Sequence, residues 1–137
     1  MEDWPGTIEM PRIASFRELE VYQLGLREAK KVFMITKAFP REERYSLTDQ
    51  IRRSSRAVNA LLAEAWARRK YVAAVSNKVN ESLGEAMETQ AWLDHALACE
   101  YIDVKQHEDL DKAWQRIGAM LNRMIQKADT FCWPTAR

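Results

Sequence analysis

Two histidines are the residues of this chain best suited to hold metal ions for redox or hydrolytic chemistry. Helical proteins that bind two metal ions present a Glu-x-x-His pattern from each of two helices, so that both ligands project inward one turn apart. The residues three positions before His95 and His107 are Trp92 and Val104, so neither histidine has this partner. The pattern predicts no metal site and no cofactor.

Nucleophilic catalysis requires a serine or cysteine that a neighbouring base activates. None of the candidates lies in a strained turn or close in sequence to such a base; they are Cys99, Cys132, Ser54, Ser55 and Ser82. The chain also lacks a glycine-rich loop that could cradle a phosphate. We therefore predict no catalytic residues, and the protein is not expected to be an enzyme.

Arginines carry the remaining signal for a function. Spacings of three and four residues share one face of a helix, and guanidinium groups bind phosphates bidentately. Two basic groups on or after the second predicted helix form the predicted nucleic-acid interface: Arg52, Arg53, Arg56, Arg68, Arg69 and Lys70. Aromatic residues are not interleaved with these arginines, so any binding to RNA or DNA is expected to be non-specific. The alternative is a solvated face whose arginines form only salt bridges. Glu64, Glu85 and Glu88 are then expected as solvated carboxylates or as structural ion-pair partners of Arg52, Arg53 or a neighbouring subunit.

Four stretches with apolar residues at alternating spacings of three and four have to position these side chains. Such spacing keeps one stripe of each helix facing its neighbours, and short connections force sequential helices to run antiparallel. We predict an all-α fold, an antiparallel up-down-up-down four-helix bundle over residues 15–132. A flexible N-terminal arm (residues 1–14) precedes it, and a C-terminal tail (residues 133–137) follows it.

The predicted core stripes follow from this spacing. Helix one contributes Leu19, Tyr22, Leu26, Ala29, Phe33 and Thr36, and helix two contributes Leu47, Ile51, Ser54, Val58, Leu61 and Ala65. Helix three contributes Val72, Ser76, Val79, Leu83, Ala86, Gln90, Leu93 and Leu97. Helix four has the clearest stripe, with Leu110, Trp114, Ile117, Leu121, Met124, Ala128 and Phe131. The expected N-terminal caps are Ser15, Ser46 and Asp103.

Apolar residues opposite these stripes require another explanation. Scattered exposed apolar residues are common, whereas a contiguous patch on two or more helices marks an interface, where tryptophan is favoured. We predict a homo-oligomer whose interface contains Leu24, Ile35, Ala60, Ala63 and Trp92.

Composition limits the class of protein and its partners. A chain of 137 residues forms one domain that can bury a core without disulfides, so Cys99 and Cys132 are expected as reduced thiols. Because 21 basic residues balance 20 acidic ones, nucleic-acid binding would require a local patch. The chain shows no signal peptide and no apolar run that would span a membrane. We therefore expect a cytoplasmic protein without a membrane partner.

Several short motifs occur in a recognisable order: Ser15-Phe16-Arg17-Glu18-Leu19-Glu20-Val21-Tyr22, Thr36-Lys37-Ala38-Phe39-Pro40, Gln50-Ile51-Arg52-Arg53-Ser54-Ser55, Ala63-Glu64, and Glu88-Thr89-Gln90 with Trp92-Leu93. With these motifs the chain resembles, over residues 15–131, the bacterial four-helix-bundle proteins named for the intervening sequences of 23S ribosomal RNA genes. Ala65 and Glu100 stand where the family usually has glycine.

The resemblance implies a four-helix bundle that assembles as a ring-like homopentamer. A related branch, the accessory variability determinant of diversity-generating retroelements, binds reverse transcriptase and nucleic acid, so a reverse transcriptase is also an implied partner. The function predicted from the residues and the resemblance is a non-enzymatic homo-oligomer that serves as a nucleic-acid or protein-binding accessory module. The alternative is a purely structural scaffold that does not bind nucleic acid.

Overall fold

The computed structural model describes residues 13–132 and contains five α-helices and no strand within that range. The helices are α1 (Glu20–Thr36), α2 (Leu47–Ala67), α3 (Val72–Ala98), α4 (Val104–Gln126) and the short α5 (Ala128–Phe131). Sequential helices are antiparallel neighbours, and α1 also packs against α4, which closes the bundle. The predicted four-helix bundle is confirmed. Residues 1–12 of the predicted arm and the predicted tail (residues 133–137) lie outside the described residues.

Three helix starts show how local chemistry sets the boundaries. Asp103 caps α4 as predicted, because its Oδ1 accepts from the backbone N–H of Gln106 at 2.7 Å while the Gln106 side chain accepts from the N–H of Asp103. Ser15 instead caps a single 3-10 turn, Phe16–Glu18, that precedes α1. Ser46 does not cap α2; the carboxylate of Glu43 accepts from the N–H of Leu47 at 3.2 Å and replaces it.

The turn between α3 and α4 shows why glycine is suited to the position that Glu100 occupies in this chain. Glu100 has φ 63°, and the N–H of Tyr101 bonds the carbonyl of Ala96 at 2.8 Å, the closing bond of a Schellman motif. Glycine adopts this left-handed conformation without strain, whereas a glutamate there costs about 1 kcal/mol. The Tyr101 hydroxyl then donates to Oε2 of Glu43 at 2.8 Å, which raises the pKa of Tyr101 to about 12. This bond ties the α3–α4 turn to the segment before α2.

The stripe of helix four is confirmed in the structure. Four of its residues are buried in α4, and Ala128 is buried in α5; the four are Leu110, Trp114, Ile117 and Leu121. Met124 is half-buried against the same core. The helix was predicted as one continuous element, but α4 ends at Gln126 and a turn at Lys127 separates it from α5. The side chain of Phe131 lies outside the described residues.

The core face of helix one was predicted only in part: Leu19, Ala29 and Thr36 are buried as expected, and Tyr22 and Phe33 are half-buried. Its buried residues are Val21, Leu24, Gly25, Glu28, Ala29, Val32 and Thr36, whereas Leu26 is 59% exposed. The close contact between α1 and α2 explains this orientation. Gly25 lies against Asn59, and a Cβ atom at Gly25 would collide with Oδ1 of that side chain. Asn59 also donates to the carbonyl of Tyr22 at 3.0 Å, so a polar contact and a missing side chain set the rotation of α1.

The core stripe of helix three also differs from the prediction. Its buried residues are Val75, Val79, Ser82, Ala86, Thr89, Leu93 and Ala96, while Val72 is exposed and Leu83, Gln90 and Leu97 are only half-buried. Small side chains occupy the contact line, since Ser82 donates to the carbonyl of Val58 at 2.9 Å and Thr89 bonds Ser54 at 2.8 Å. In helix two, Leu61 was predicted for the core but is only half-buried, and Leu62 is fully buried instead.

Among residues 13–132, no helix is both long and apolar enough to cross a membrane. The thiol of Cys99 is exposed, that of Cys132 is buried, and the two cysteines do not form a disulfide.

Candidate nucleic-acid interface

Three cations lie close to the ring of Phe33: two belong to α2, and one directly follows α1. The guanidinium carbon of Arg52 lies 4.6 Å from the ring centroid and that of Arg56 lies 5.4 Å from it, and Lys37 Nζ lies 5.0 Å away. Arg52 and Arg56 are one turn apart on α2, and Lys37 follows the last residue of α1. None of the three forms an ion pair with a carboxylate among the described residues. We call these four residues the Phe33 cluster.

A buried hydroxyl orients the guanidinium of Arg52. Thr36 is buried, donates to the carbonyl of Phe33 at 2.9 Å, and accepts from Nε of Arg52 at 2.8 Å. This bond uses Nε and leaves both terminal nitrogens of Arg52 without a hydrogen-bond partner in the described part of the chain. The side chain is therefore held in place with two parallel donors directed away from Thr36, the arrangement that binds a phosphate or carboxylate bidentately.

A shallow groove between α1 and α2 continues from the Phe33 cluster. Its volume is about 220 Å³, and it is lined by Leu26, Ala29, Lys30, Phe33 and Arg56. Gly25 faces Asn59 across the two helices. Because the helices run antiparallel and each residue advances about 100° around its helix, the next residues, Leu26 and Ala60, project to the same side. The Phe33 cluster and the apolar residues Leu26 and Ala60 therefore lie on one surface of the protein, which we call the groove surface; Leu26 and Ala60 form its apolar end.

Arg53 lies on a different side of α2 from Arg52 and Arg56, contrary to the prediction of one outward sector. Its Nη2 lies 2.8 Å from Oε2 of Glu88 and 3.7 Å from Oε1 of Glu85, both on α3. The same Glu88 oxygen accepts from Nε1 of Trp92 at 3.1 Å. Residues one position apart differ by about 100° around a helix, which turns Arg53 toward α3. Arg53 belongs to a structural network, the alternative that the sequence left open.

The second basic group, Arg68, Arg69 and Lys70, lies at the turn between α2 and α3. Its members also have different surroundings. The guanidinium of Arg69 lies 3.6 Å from the centroid of Trp66, and its Nε donates to the Trp66 carbonyl at 2.9 Å. Burial lowers the pKa of Arg69, and burial also raises the pKa of the neighbouring Cys132 thiol. Arg68 and Lys70 are exposed. They lie about 18 Å or more along the helix from Arg56, so they do not extend the Phe33 cluster.

The residues predicted for an oligomer interface have different surroundings. Leu24 is 7% exposed and packs in the core, so the prediction that it projects outward was wrong. Ile35 and Trp92 are half-buried against the core, Ala63 is half-buried, and Ala60 is exposed. Leu26, which lines the groove between α1 and α2 and is 59% exposed, was instead assigned to the core from the sequence.

The serines considered as nucleophiles have structural roles. Ser54 shares a hydrogen bond with Thr89, and Ser82 donates to the Val58 carbonyl; both are fully buried. Ser55 is buried as well and donates to the carbonyl of Arg52 at 3.0 Å. Each hydroxyl satisfies its donor inside the bundle, where a substrate cannot reach it.

A cluster that the sequence did not anticipate joins α3 to α4. One ligand-type atom from each of Asp94, His107 and Asp111 lies within 4.8 Å of the others. Nε2 of His107 is 2.8 Å from Oδ1 of Asp94, and Nε2 of Gln90 donates to Oδ1 of Asp111 at 3.1 Å. A search for Glu-x-x-His misses this set, because its residues come from two helices and the pair on α4 is spaced by four.

Comparison with known proteins gives a family match without a function. The 23S rRNA-intervening sequence protein family matches residues 17–123. A crystal structure from Bacteroides thetaiotaomicron, described as a protein with unknown function from the S23 ribosomal protein family, is 29% identical in sequence with a TM-score of 0.70. The match covers 77% of this chain and 95% of that chain. No curated protein matches this chain.

Proposed function

Because the chain belongs to the 23S rRNA-intervening sequence protein family, for which the matched structure has no known function, we propose a function from its own geometry. The protein is a non-enzymatic module that binds the phosphate backbone of RNA or DNA through the Phe33 cluster and acts as a homo-oligomer. The observation that supports this proposal is the convergence of Lys37, Arg52 and Arg56 on one ring, without a carboxylate partner among the described residues.

Repulsion between these like charges favours an anionic ligand. Each cation lies within 5.4 Å of the centroid of Phe33, so three positive charges are gathered around one ring. A structural role would normally pair them with carboxylates, as happens for Arg53 with Glu88. A phosphate between the cations removes the repulsion and forms charge-assisted hydrogen bonds with the terminal nitrogens of Arg52.

The same geometry implies binding without sequence preference. Phe33 is half-buried and cations lie over its ring, so the ring is not an open platform for stacking a nucleobase. The remaining contacts are with phosphate groups, which carry no sequence information. We therefore expect binding that depends on salt and tolerates any sequence.

Replacing both Arg52 and Arg56 by glutamine should weaken binding to single-stranded RNA roughly 20-fold at 0.1 M salt. Each lost phosphate contact removes about 0.7 counterions from the salt dependence of binding, which is close to fivefold per contact at this concentration. Fluorescence anisotropy with a labelled RNA of mixed sequence measures the affinity at several salt concentrations. The negative slope of log K against log salt should become shallower by about 1.4.

The matched control is the double replacement of Arg116 and Arg123 by glutamine on α4, where both arginines are exposed. It removes the same net charge from another surface and should change the affinity by less than about threefold, since only long-range attraction is lost. Wild-type protein that does not bind RNA at low salt would contradict the proposal and favour the scaffold function. Equal losses in the two double variants would contradict the assigned site.

Homo-oligomerisation is supported by the apolar end of the groove surface. Leu26 is 59% exposed, Ala60 is exposed and Ala63 is half-buried, and we expect these residues to pack against another copy of the chain. Two of the three were predicted for the interface from the sequence. Assembly would multiply the Phe33 clusters, so that a subunit of net charge +1 gains affinity by avidity.

The mass in solution tests this assembly. Light scattering should give several times 16.0 kDa, and five times this value for the pentamer that the family resemblance implies. Leu26→Glu should reduce the mass to that of one chain, because a buried carboxylate without a partner is costly at an interface. Met87→Glu, at an exposed apolar residue of α3, is the control and should leave the mass unchanged. A wild-type monomer would contradict the proposal.

A further inference from the structure

We propose that Asp94, His107 and Asp111 bind a divalent transition-metal ion such as Zn²⁺ and thereby clasp α3 to α4. The proposal is independent of the nucleic-acid interface, which lies between α1 and α2. His107 and Asp111 are four residues apart on α4 and so share one face of that helix. Asp94 approaches them from α3.

The distances between the ligand atoms suit one small ion. The three atoms lie within 4.8 Å of one another. A tetrahedral ion with metal–ligand bonds of about 2.0–2.2 Å holds its ligands about 3.3–3.6 Å apart, so the most distant atoms have to approach each other by up to about 1.5 Å. The side chain of Asp94 is 70% exposed and can rotate as the ion binds. Binding then replaces the hydrogen bond between Nε2 of His107 and Asp94; a proton on Nε2 leaves to solvent, and the neutral imidazole keeps or takes up its proton on Nδ1.

Surrounding contacts hold two of the ligands in position before an ion arrives. The side chain of His107 is only 17% exposed, so packing restricts its ring. Gln90 donates to Oδ1 of Asp111 at 3.1 Å and to Oε1 of Gln115 at 3.0 Å, and the first bond orients the carboxylate. Hydrogen bonds of this kind to ligating carboxylates are a general feature of metal sites.

The ligand types identify the class of ion. An imidazole nitrogen favours Zn²⁺, Co²⁺ or Ni²⁺ over Mg²⁺ and Ca²⁺, which take oxygen ligands. Three protein ligands leave at least one position for water, as in open zinc sites. Because the ligands come from two helices, we expect the ion to stabilise the folded state.

Thermal unfolding with and without a saturating excess of Zn²⁺ tests the proposal. The wild-type Tm should rise by about 5 °C or more, since a ligand that binds only the folded state stabilises it. Co²⁺ should give a d–d absorption band at one equivalent per chain. Mg²⁺ at the same concentration should leave the Tm unchanged.

Variants assign the effect to these residues. His107→Asn and Asp94→Asn should each abolish the Zn²⁺ shift and the Co²⁺ band, and the exposed Asp94 can be replaced without disturbing the core. His95→Asn removes the other histidine and should keep both signals. Cys99→Ser should also keep them, which excludes the exposed thiol as the ligand. A wild type without a Tm shift or a band, or an Asp94→Asn variant that retains both, would overturn the assignment.

Discussion

Replacing Leu121 by alanine should lower the free energy of unfolding by about 2–5 kcal/mol. Leu121 is fully buried in α4, in the stripe that also contains Trp114 and Ile117. The substitution removes three buried carbon atoms and leaves a cavity, because the rigid helices around it relax only in part. Urea denaturation at one fixed protein concentration measures the difference.

The neighbouring substitution Asn122→Ala is the control. Asn122 is exposed on the same turn of α4, so this change should alter the free energy of unfolding by no more than about 0.5 kcal/mol. A loss well under 1 kcal/mol for Leu121→Ala would mean that the α4 stripe does not form the centre of the bundle.

Leu24→Ala should destabilise the protein by about 2–4 kcal/mol, because Leu24 packs in the core against the other helices. Its side chain is 7% exposed, so the expected loss is near the middle of the range for buried leucines. This substitution distinguishes the observed rotation of α1 from the one predicted by the apolar spacing, which placed Leu24 on the outer surface. Chemical denaturation followed by circular dichroism measures the loss.

Met34→Ala provides the comparison within the same helix. Met34 is 51% exposed, and its truncation should change the free energy of unfolding by about 0.5 kcal/mol or less. If Leu24→Ala were as mild as Met34→Ala, α1 would present another face to the core and the register between Gly25 and Asn59 would be wrong.

The clear stripe of α4 shows what periodicity predicts well. Large apolar residues line one side of this helix, and charged, polar or small residues occupy most of the rest, so one rotation buries most of the apolar area. The start at Asp103 was predictable for a similar reason, since a capping box depends on residues only three positions apart. Both features depend on neighbours along the chain.

In α1 and α3 the phase of the stripe could not be read from apolar residues. Apolar side chains surround α1, so several rotations bury a similar area, and the contact of Gly25 with Asn59 selects one of them. In α3 the contact line consists partly of Ser82, Thr89 and Ala96, because small residues let helices approach closely. How much these small residues stabilise the packing depends on the partner helix, and the local sequence carries no information about that helix.

In the candidate interface, too, the sequence predicted relations within one helix but not contacts between helices. Spacing correctly indicated that Arg52 and Arg56 share a face of α2, but it also grouped them with Arg53, which pairs with Glu88 on α3. Phe33 was assigned to the core, and the structure places its ring beneath the two arginines. Phe33 lies 19 positions before Arg52 in the sequence (52 − 33), so a search for aromatic residues close to the arginines along the chain could not find the cluster.

The sequence by itself determined the helical class, the number of long helices, the start of α4 at Asp103 and the stripe of α4, because these depend on propensity, capping and periodicity within about 25 residues. Only the tertiary structure decided the exact rotation of α1, which arginine pairs with a carboxylate of α3 and which carboxylates approach His107. Those outcomes depend on how two helices rotate and approach each other. Side-chain volume, a missing Cβ atom and hydrogen bonds between distant residues set that geometry.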